Sequence, residues 1–379
     1  AGLVWQKTNG EPFGARRTPL VYAAVGAATL AVCLLPHLGR PRLAVVILLA
    51  MASFELWAVA DASPFRQAPP AAFTQGEMVD WFKVHGVTDQ ERLLSMARPE
   101  YVPAAEDSIR AQLSGLPSDQ VDMLLIAQKY HDTLTPNVPL QYGLNTADGY
   151  DGGVLPLLRW LHLSGLVVDS PRPDGVLLTR LNDLPPDRIL DLLGVRYLIA
   201  NSGTPARADL QMVDFGDLSL FIRPDPVPRS LVVFGATPVA DENAALARMA
   251  APDFDPNREV VIEGPGTATS PSAAPLPVTP DTQDPERWHA HVSVPQAGYL
   301  LQREAWYPGW HARVDGVDTP VQQVDSLFRA VPLSPGEHDV EIYFDSSSFK
   351  RGALVSLLGA VVIIGLLLWR PIIRTRVQG

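Results

Sequence analysis

The sequence predicts a membrane protein: α-helical spans, an extracytoplasmic α/β domain on a mixed sheet, and a C-terminal all-β sandwich. Three observations lead there. Residues 20–35, 43–60 and 352–369 are long apolar runs, against the roughly 20 mostly apolar residues that a bilayer crossing needs. Helix-like and strand-like segments alternate between residues 67 and 266, which favours a mixed sheet covered by helices. From Trp288 onward, apolar and polar residues alternate with a period of two, the mark of strands with one buried face.

In chain order, residues 1–18 form a flank on the outer side, and 19–36 form the first expected span. This span is short, rich in Ala and Gly, and contains the only cysteine, Cys33. Arg16 and Arg17 before it would also suit the basic start of a signal peptide. A second span at 41–60 follows almost at once, so a helical hairpin is expected. With no Met at its start and no recognisable leader, the chain reads as the C-terminal portion of something longer.

The α/β domain is expected over 67–266. Thr74-Gln-Gly-Glu77 has the form of a capping box for a helix that turns Met78, Trp81 and Phe82 inward and stops at Gly86. Residues 92–96 suit the following strand. Pro185 and Pro186 in a first turn and Gly194 past the last predict a helix, leading into a buried strand at 195–200. The same order returns at 241–250 and 259–263. Residues 267–285, rich in Pro, Thr, Ser and Ala, read as a linker. The sandwich is expected over 286–347. Trp288, Ala290, Val292 and Val294 share one strand face, as do Val340, Ile342 and Phe344, and Asp315-Gly316 marks a tight hairpin. A unit of about 60 residues is marginal alone, so it should lean on the α/β domain or the membrane surface. A span at 352–369 and a tail at 370–379 close the chain.

Charge sets the expected topology. Residues 61–350 hold 39 acidic and 21 basic side chains, a net of −18, whereas the rest hold 2 and 9, a net of +7. Arg40 and Arg42 lie between the first two spans, and Arg370, Arg374 and Arg376 follow the last. The positive-inside rule puts that loop and the C-terminus in the cytoplasm and the acidic segment outside. Arg16 and Arg17 run against the rule. An acidic outer surface argues against nucleic acid as a partner. The outer segment has no cysteine and hence no disulfides, so core burial must hold it.

One resemblance runs along most of the chain. Tyr307-Pro-Gly-Trp310, Val314-Asp-Gly316, Phe328-Arg-Ala-Val331 and Pro335-Gly-Glu-His-Asp-Val340, ending in a span, resemble the C-terminus of the YfhO family of bacterial membrane proteins. Upstream, Asn137, Asp148-Gly-Tyr-Asp151, Arg159, Leu193-Gly-Val-Arg-Tyr-Leu198, Arg229-Ser-Leu-Val232 and Asp253-Phe-Asp-Pro256 also fit. The resemblance implies a polytopic GT-C-type glycosyltransferase of the bacterial inner (plasma) membrane, with its large domain on the outer face. Such an enzyme takes sugar from a polyprenyl-phosphate donor and passes it to a cell-envelope polymer. The implied partners are the lipid bilayer, the polyprenyl-phosphate-linked sugar and envelope glycan. The catalytic carboxylate of that superfamily sits in an early outer loop, a region this chain does not contain, so the catalytic residue is unknown. No cofactor is evident, and a divalent cation in the parent enzyme stays open. The competing readings are a non-catalytic glycan-binding or scaffolding membrane protein and a transporter of lipid-linked sugar.

The candidate site residues are each weighed against plainer roles. Asp148, Tyr150 and Asp151, with Arg159 and His162 soon after on an expected helix over 154–163, combine carboxylates for sugar hydroxyls, a ring for a sugar face and a cation for phosphate. The plainer role is a Gly-rich turn capping that helix through Asp151. Trp306, Tyr307 and Trp310 suit a sugar-stacking platform or, more simply, a sandwich core with a Pro308-Gly309 turn. Glu55 is an ionisable group inside the second span, functional or reaching interfacial water. Asp253-Phe-Asp255 has the D-x-D form of a cation-holding pair but sits where a turn is expected. His289 and His291 share a strand face and could hold zinc, yet no third ligand has suggestive spacing, so a solvated face with no metal is expected. Gly264-Pro-Gly266 lacks the strand–turn–helix context of a phosphate loop.

Overall fold

The architecture comes from a computed structural model that describes residues 41–61, 76–103, 105–135, 137–149, 156–177, 180–225 and 228–368. The expected flank at 1–18, span at 19–36 and tail at 370–379 lie outside the described residues. The chain divides into two units, Ala1–Phe73 and Thr74–Gly379. In the first, Pro41–Asp61 forms helix α1. It is 21 residues long and covers the stretch expected as the second span.

The second unit begins with α2 (Glu77–His85), which buries Met78, Val79 and Phe82. Gly86 closes it at φ 66°, in the left-handed conformation that glycine adopts without a Cβ clash. Its N-cap is Gly76, with no side-chain cap, so Glu77 opens the helix instead of completing a capping box. There follow β1 (Arg92–Ser95), α3 (Glu106–Gln112), α4 (Ser118–Asp132), β2 (Asn145–Thr146), α5 (Leu158–Ser164), α6 (Asp187–Leu193), β3 (Val195–Asn201), β4 (Gln211–Asp214) and β5 (Leu218–Ile222). These strands make a five-stranded mixed sheet in the order β2-β1-β3-β5-β4. The pairings of β1 with β2 and β3 are parallel, and those of β5 with β3 and β4 are antiparallel. Both faces are covered: Leu94, Leu198 and Phe221 enter one core, and Leu93, Tyr197 and Leu220 enter another with α2. The near-continuous apolar run of β3 follows from that double burial.

The chain continues with β6 (Ser230–Val233), β7 (Gly235–Val239), α7 (Glu242–Ala250), β8 (Glu259–Glu263), β9 (Leu276–Pro277), β10 (Thr282–Asp284), β11 (Arg287–Val294), β12 (Gly298–Ala305), β13 (Trp310–Val314), β14 (Val317–Thr319), β15 (Gln322–Val324), β16 (Phe328–Leu333) and β17 (Gly336–Phe344). An antiparallel sheet runs β10-β11-β17-β13-β14, and a seven-stranded sheet runs β7-β8-β15-β16-β12-β6-β9. Asp315 (φ 55°) and Gly316 (φ 78°) form the two-residue hairpin between β13 and β14, with the paired positive φ values that match strand twist.

The seven-stranded sheet crosses the expected linker. It takes β6, β7 and β8 from before residue 267, β9 from within 267–285, and β12, β15 and β16 from after. Successive residues of β12 show why. Leu300 faces the antiparallel sheet, with Val232, Val331, Trp288 and Ile342, whereas Leu301 faces the helix side, with Leu231, Ala330, Leu193 and Met249. Both are essentially fully buried. At about 1.5–3 kcal/mol per buried large aliphatic side chain, the sandwich is stabilised by sharing its middle layer with the rest of the unit.

Ser346 caps α8 (Ser347–Leu368), accepting from the Phe349 N–H at 3.2 Å. Within α8, Ser347–Gly365 is the one stretch among the described residues long and apolar enough to cross a membrane, and none of it is buried.

Candidate functional site

Asp148 is buried, and its Oδ2 accepts from the Leu177 N–H at 3.4 Å. Burial pushes its carboxyl up to about 7. It braces the loop and does not present oxygen to solvent. Tyr150 and Asp151 lie outside the described residues. The helix expected over 154–163 is α5, its N-cap Leu157 carrying no side-chain cap. Glu55 lies on α1, its side chain outside the described set. Trp306 is half-buried and donates Nε1–H to the Val321 carbonyl at 3.2 Å. Trp310 meets the Phe344 ring edge-on at 5.3 Å, and the Arg329 guanidinium lies over its face at 3.5 Å. Of the three aromatics only Tyr307 is exposed, at 51 %. Asp253 pairs with Arg248 at 2.9 Å and Asp255 accepts from the Asn257 N–H at 2.9 Å, so the D-x-D is a turn.

Arg159 leads to the best candidate. From α5 it forms a two-pronged ion pair with Glu263 at the end of β8, Nη2 to Oε2 being 2.9 Å, and it donates to the Ser326 carbonyl at 2.9 Å. The bond to Glu263 raises its already high basicity. Its guanidinium is thus committed to protein partners. Glu263 in turn lines an open groove of about 490 Å³ with Tyr299, Gln322, Gln323, Thr267 and Gly266, within the usual ligand-site range of roughly 300–1,000 Å³. The loop read as a linker segment therefore forms one wall.

The turn between β15 and β16 adjoins the groove residues Gln322 and Gln323 and holds Gln323 in place. Asp325 (φ 50°) and Ser326 (φ 63°) are consecutive left-handed residues. That turn aims the Ser326 carbonyl at Arg159 and at Gln323, whose Nε2 donates at 2.7 Å. Asp325 staples the turn to β8, accepting from the Val261 N–H at 2.8 Å, and burial pushes its carboxyl up to about 7. Beside it, Nδ1 of His162 lies 2.9 Å from Oε1 of Glu242, which also accepts from the Ser326 hydroxyl at 3.2 Å. Burial raises the Glu242 carboxyl, but His162 and Arg159 outweigh it and hold it below the usual range. The groove presents amides, a phenol, a hydroxyl and a carboxylate, a donor and acceptor set suited to a hydroxyl-rich ligand.

A second cluster had no sequence signal. Oε1 of Glu304 accepts from Arg92 Nη2 at 2.7 Å and from Arg229 Nε at 2.8 Å. Arg303, 1 % exposed, donates to the carbonyls of Pro228 (2.6 Å) and Pro256 (3.1 Å) and to Asn257 Oδ1 (2.6 Å). This network ties the mixed sheet to the seven-stranded one. Arg229 and Arg329 are among its buried members. The outer face of β11 holds a third cluster: Asp281 and Asp339 stand beside His289 and His291, supplying the acidic neighbours that chain spacing hid. Comparison with family models, curated proteins and solved structures finds no match for the chain.

Proposed function

We propose that this chain is the outward-facing C-terminal portion of a polytopic bacterial membrane glycosyltransferase and that it holds the acceptor envelope glycan while sugar is passed from a polyprenyl-phosphate donor. The observation that carries this reading is the groove of about 490 Å³ lined by Glu263, Tyr299, Gln322 and Gln323. Its lining residues Glu263 and Gln323 are held by Arg159 and by the Ser326 carbonyl, so a polymer bound there meets preset polar groups and loses little free energy in ordering them. The unburied apolar helix α8 supports a membrane anchor directly after the folded unit. The likeness to the YfhO family supports the enzymatic parent.

A second reading is a non-catalytic glycan-binding membrane protein. The two-pronged engagement of Glu263 by Arg159 makes that carboxylate a poor general base, so under either reading its part in the groove is binding. Both readings require glycan in the groove. The test is titration of the detergent-solubilised chain with oligosaccharides of bacterial envelope polymers. Gln322→Ala with Gln323→Ala should weaken binding about thirtyfold, at roughly 1 kcal/mol for each of two lost hydrogen bonds, with the melting temperature lowered by only a few degrees through loss of the Gln323 bond to the Ser326 carbonyl. Unchanged affinity in that variant would rule the groove out.

A further inference from the structure

Strand β11 puts Trp288, Ala290 and Val292 into the sandwich core, so the intervening His289 and His291 project together from the opposite face. Their rings meet edge-on, with centroids 5.1 Å apart. The turn into β10 brings Asp281 alongside: its N–H donates to the His289 carbonyl at 2.8 Å. Oδ2 of Asp281 lies 2.9 Å from Nδ1 of His291 and 3.5 Å from Nδ1 of His289. On the other side, β17 pairs Asp339 directly opposite His291. Oδ1 of Asp339 lies 2.6 Å from Nε2 of His289 and 3.4 Å from Nε2 of His291. One ligand atom from each of Asp281, His289 and His291 falls within 4.8 Å of the others.

We propose that Asp281, His289 and His291 form a binding site for a divalent transition metal of the zinc type, with Asp339 orienting the two imidazoles from behind. Around an ion held tetrahedrally at about 2.0–2.2 Å, ligand atoms stand about 3.3–3.6 Å apart. Asp281 Oδ2 and His289 Nδ1 already stand 3.5 Å apart, and the 2.9 Å separation at His291 opens to that value with a small ring rotation. With both Nδ1 atoms on the metal, both Nε2–H groups point at Asp339, the carboxylate–histidine–metal arrangement that fixes tautomer and raises ligand basicity. Two imidazoles and a carboxylate suit zinc and its transition-metal neighbours, whereas magnesium and calcium prefer all-oxygen shells. Strand β11 is paired on both edges, so the backbone under the site is already fixed. Three protein ligands leave a fourth position for water or for an oxygen of a bound partner.

The experiment is calorimetric titration of the untagged, metal-stripped full chain in detergent with zinc chloride. The expected result is one saturable site per chain at micromolar affinity, unaffected by millimolar magnesium. His291→Ala and Asp281→Asn should each lower affinity at least tenfold, and Asp339→Asn should lower it about 10–100-fold with the stoichiometry kept. His291 is 71 % exposed, so its variant should melt within about 2 °C of wild type without metal, which separates ligand loss from misfolding. No saturable binding below 1 mM, or binding that His289→Ala with His291→Ala leaves within tenfold of wild type, would overturn the proposal and leave a cross-strand ladder of histidine–aspartate hydrogen bonds.

Discussion

Glu304 holds the two halves of the folded unit together through its charge. Its Oε1 accepts from Arg92 on β1 and from Arg229, which stands just before β6, so one carboxylate bridges two sheets. Arg92 and Arg229 retain only 10 % and 11 % side-chain exposure, and Glu304 retains 28 %. Replacing Glu304 with Gln keeps the shape and an acceptor oxygen but removes the charge. Hydrogen bonds to a charged group contribute about 1.5–3 kcal/mol, against about 0.5–1.5 for neutral ones. Breaking a buried ion pair costs about 3–5 kcal/mol. The partial exposure of Glu304 admits water, so the lower end applies, about 3 kcal/mol. In a chain of this size that corresponds to about 5 °C in melting temperature. Scanning calorimetry of the detergent-solubilised chain at pH 7 reads it directly. Burial raises the Glu304 carboxyl, but Arg92, Arg229 and Arg329 more than offset this and hold it below the usual range. Its contribution is therefore present above the unfolded value of about 4.3 and is lost only as pH falls through the lower folded one. A Glu304→Gln variant within 1 °C of wild type at pH 7 would refute the bridging argument.

Three further outcomes follow from the same geometry. Asp325 has its carboxyl raised to about 7, so the folded state keeps a proton that the unfolded chain gives up near pH 4, and stability falls as pH rises between those values. Asp325→Asn should remove that slope, gaining roughly 2–3 kcal/mol on wild type between pH 5 and pH 8, as read from melting curves. Arg159→Met should release the groove residue Glu263 and the Ser326 carbonyl, weakening glycan binding more than tenfold while lowering the melting temperature by several degrees. For the proposed orientation, Asp318→Cys at the exposed β14 edge should react with a membrane-impermeant maleimide on intact cells, and Gln378→Cys only after permeabilisation. The reverse pattern would invert the topology.

The residues that were legible in the sequence are those whose environment is set locally. Gly194 and Gly86 end helices because their left-handed φ values need no Cβ, and the alternation at Trp288–Val294 and Val340–Ile342 reports the single buried face of β11 and β17. Within 267–285, Pro and Ser content reports backbone freedom and not pairing, whereas Leu276 and Pro277 pair with β6 on the edge of a distant sheet. Edge strands accept proline, so composition could not separate the two. The groove was illegible for a related reason. Glu263, Tyr299 and Gln323 come from three strands whose register is set by pairing across long separations. Arg159 was visible as a cation near an acidic cluster, but its partner is Glu263 on β8. The aspartates around His289 and His291 depend on the register of β11 against β10 and β17 in the same way.

Acceptor handling by the groove is tested most directly by transfer of labelled sugar from a polyprenyl-phosphate donor to envelope glycan by the full-length parent protein, comparing wild type with the Gln322→Ala, Gln323→Ala variant. The expected result is transfer in wild type and a KM for acceptor raised about thirtyfold in the variant with kcat retained, the pattern of lost acceptor binding. Transfer with the same acceptor KM in both proteins would show that the groove does not hold the acceptor.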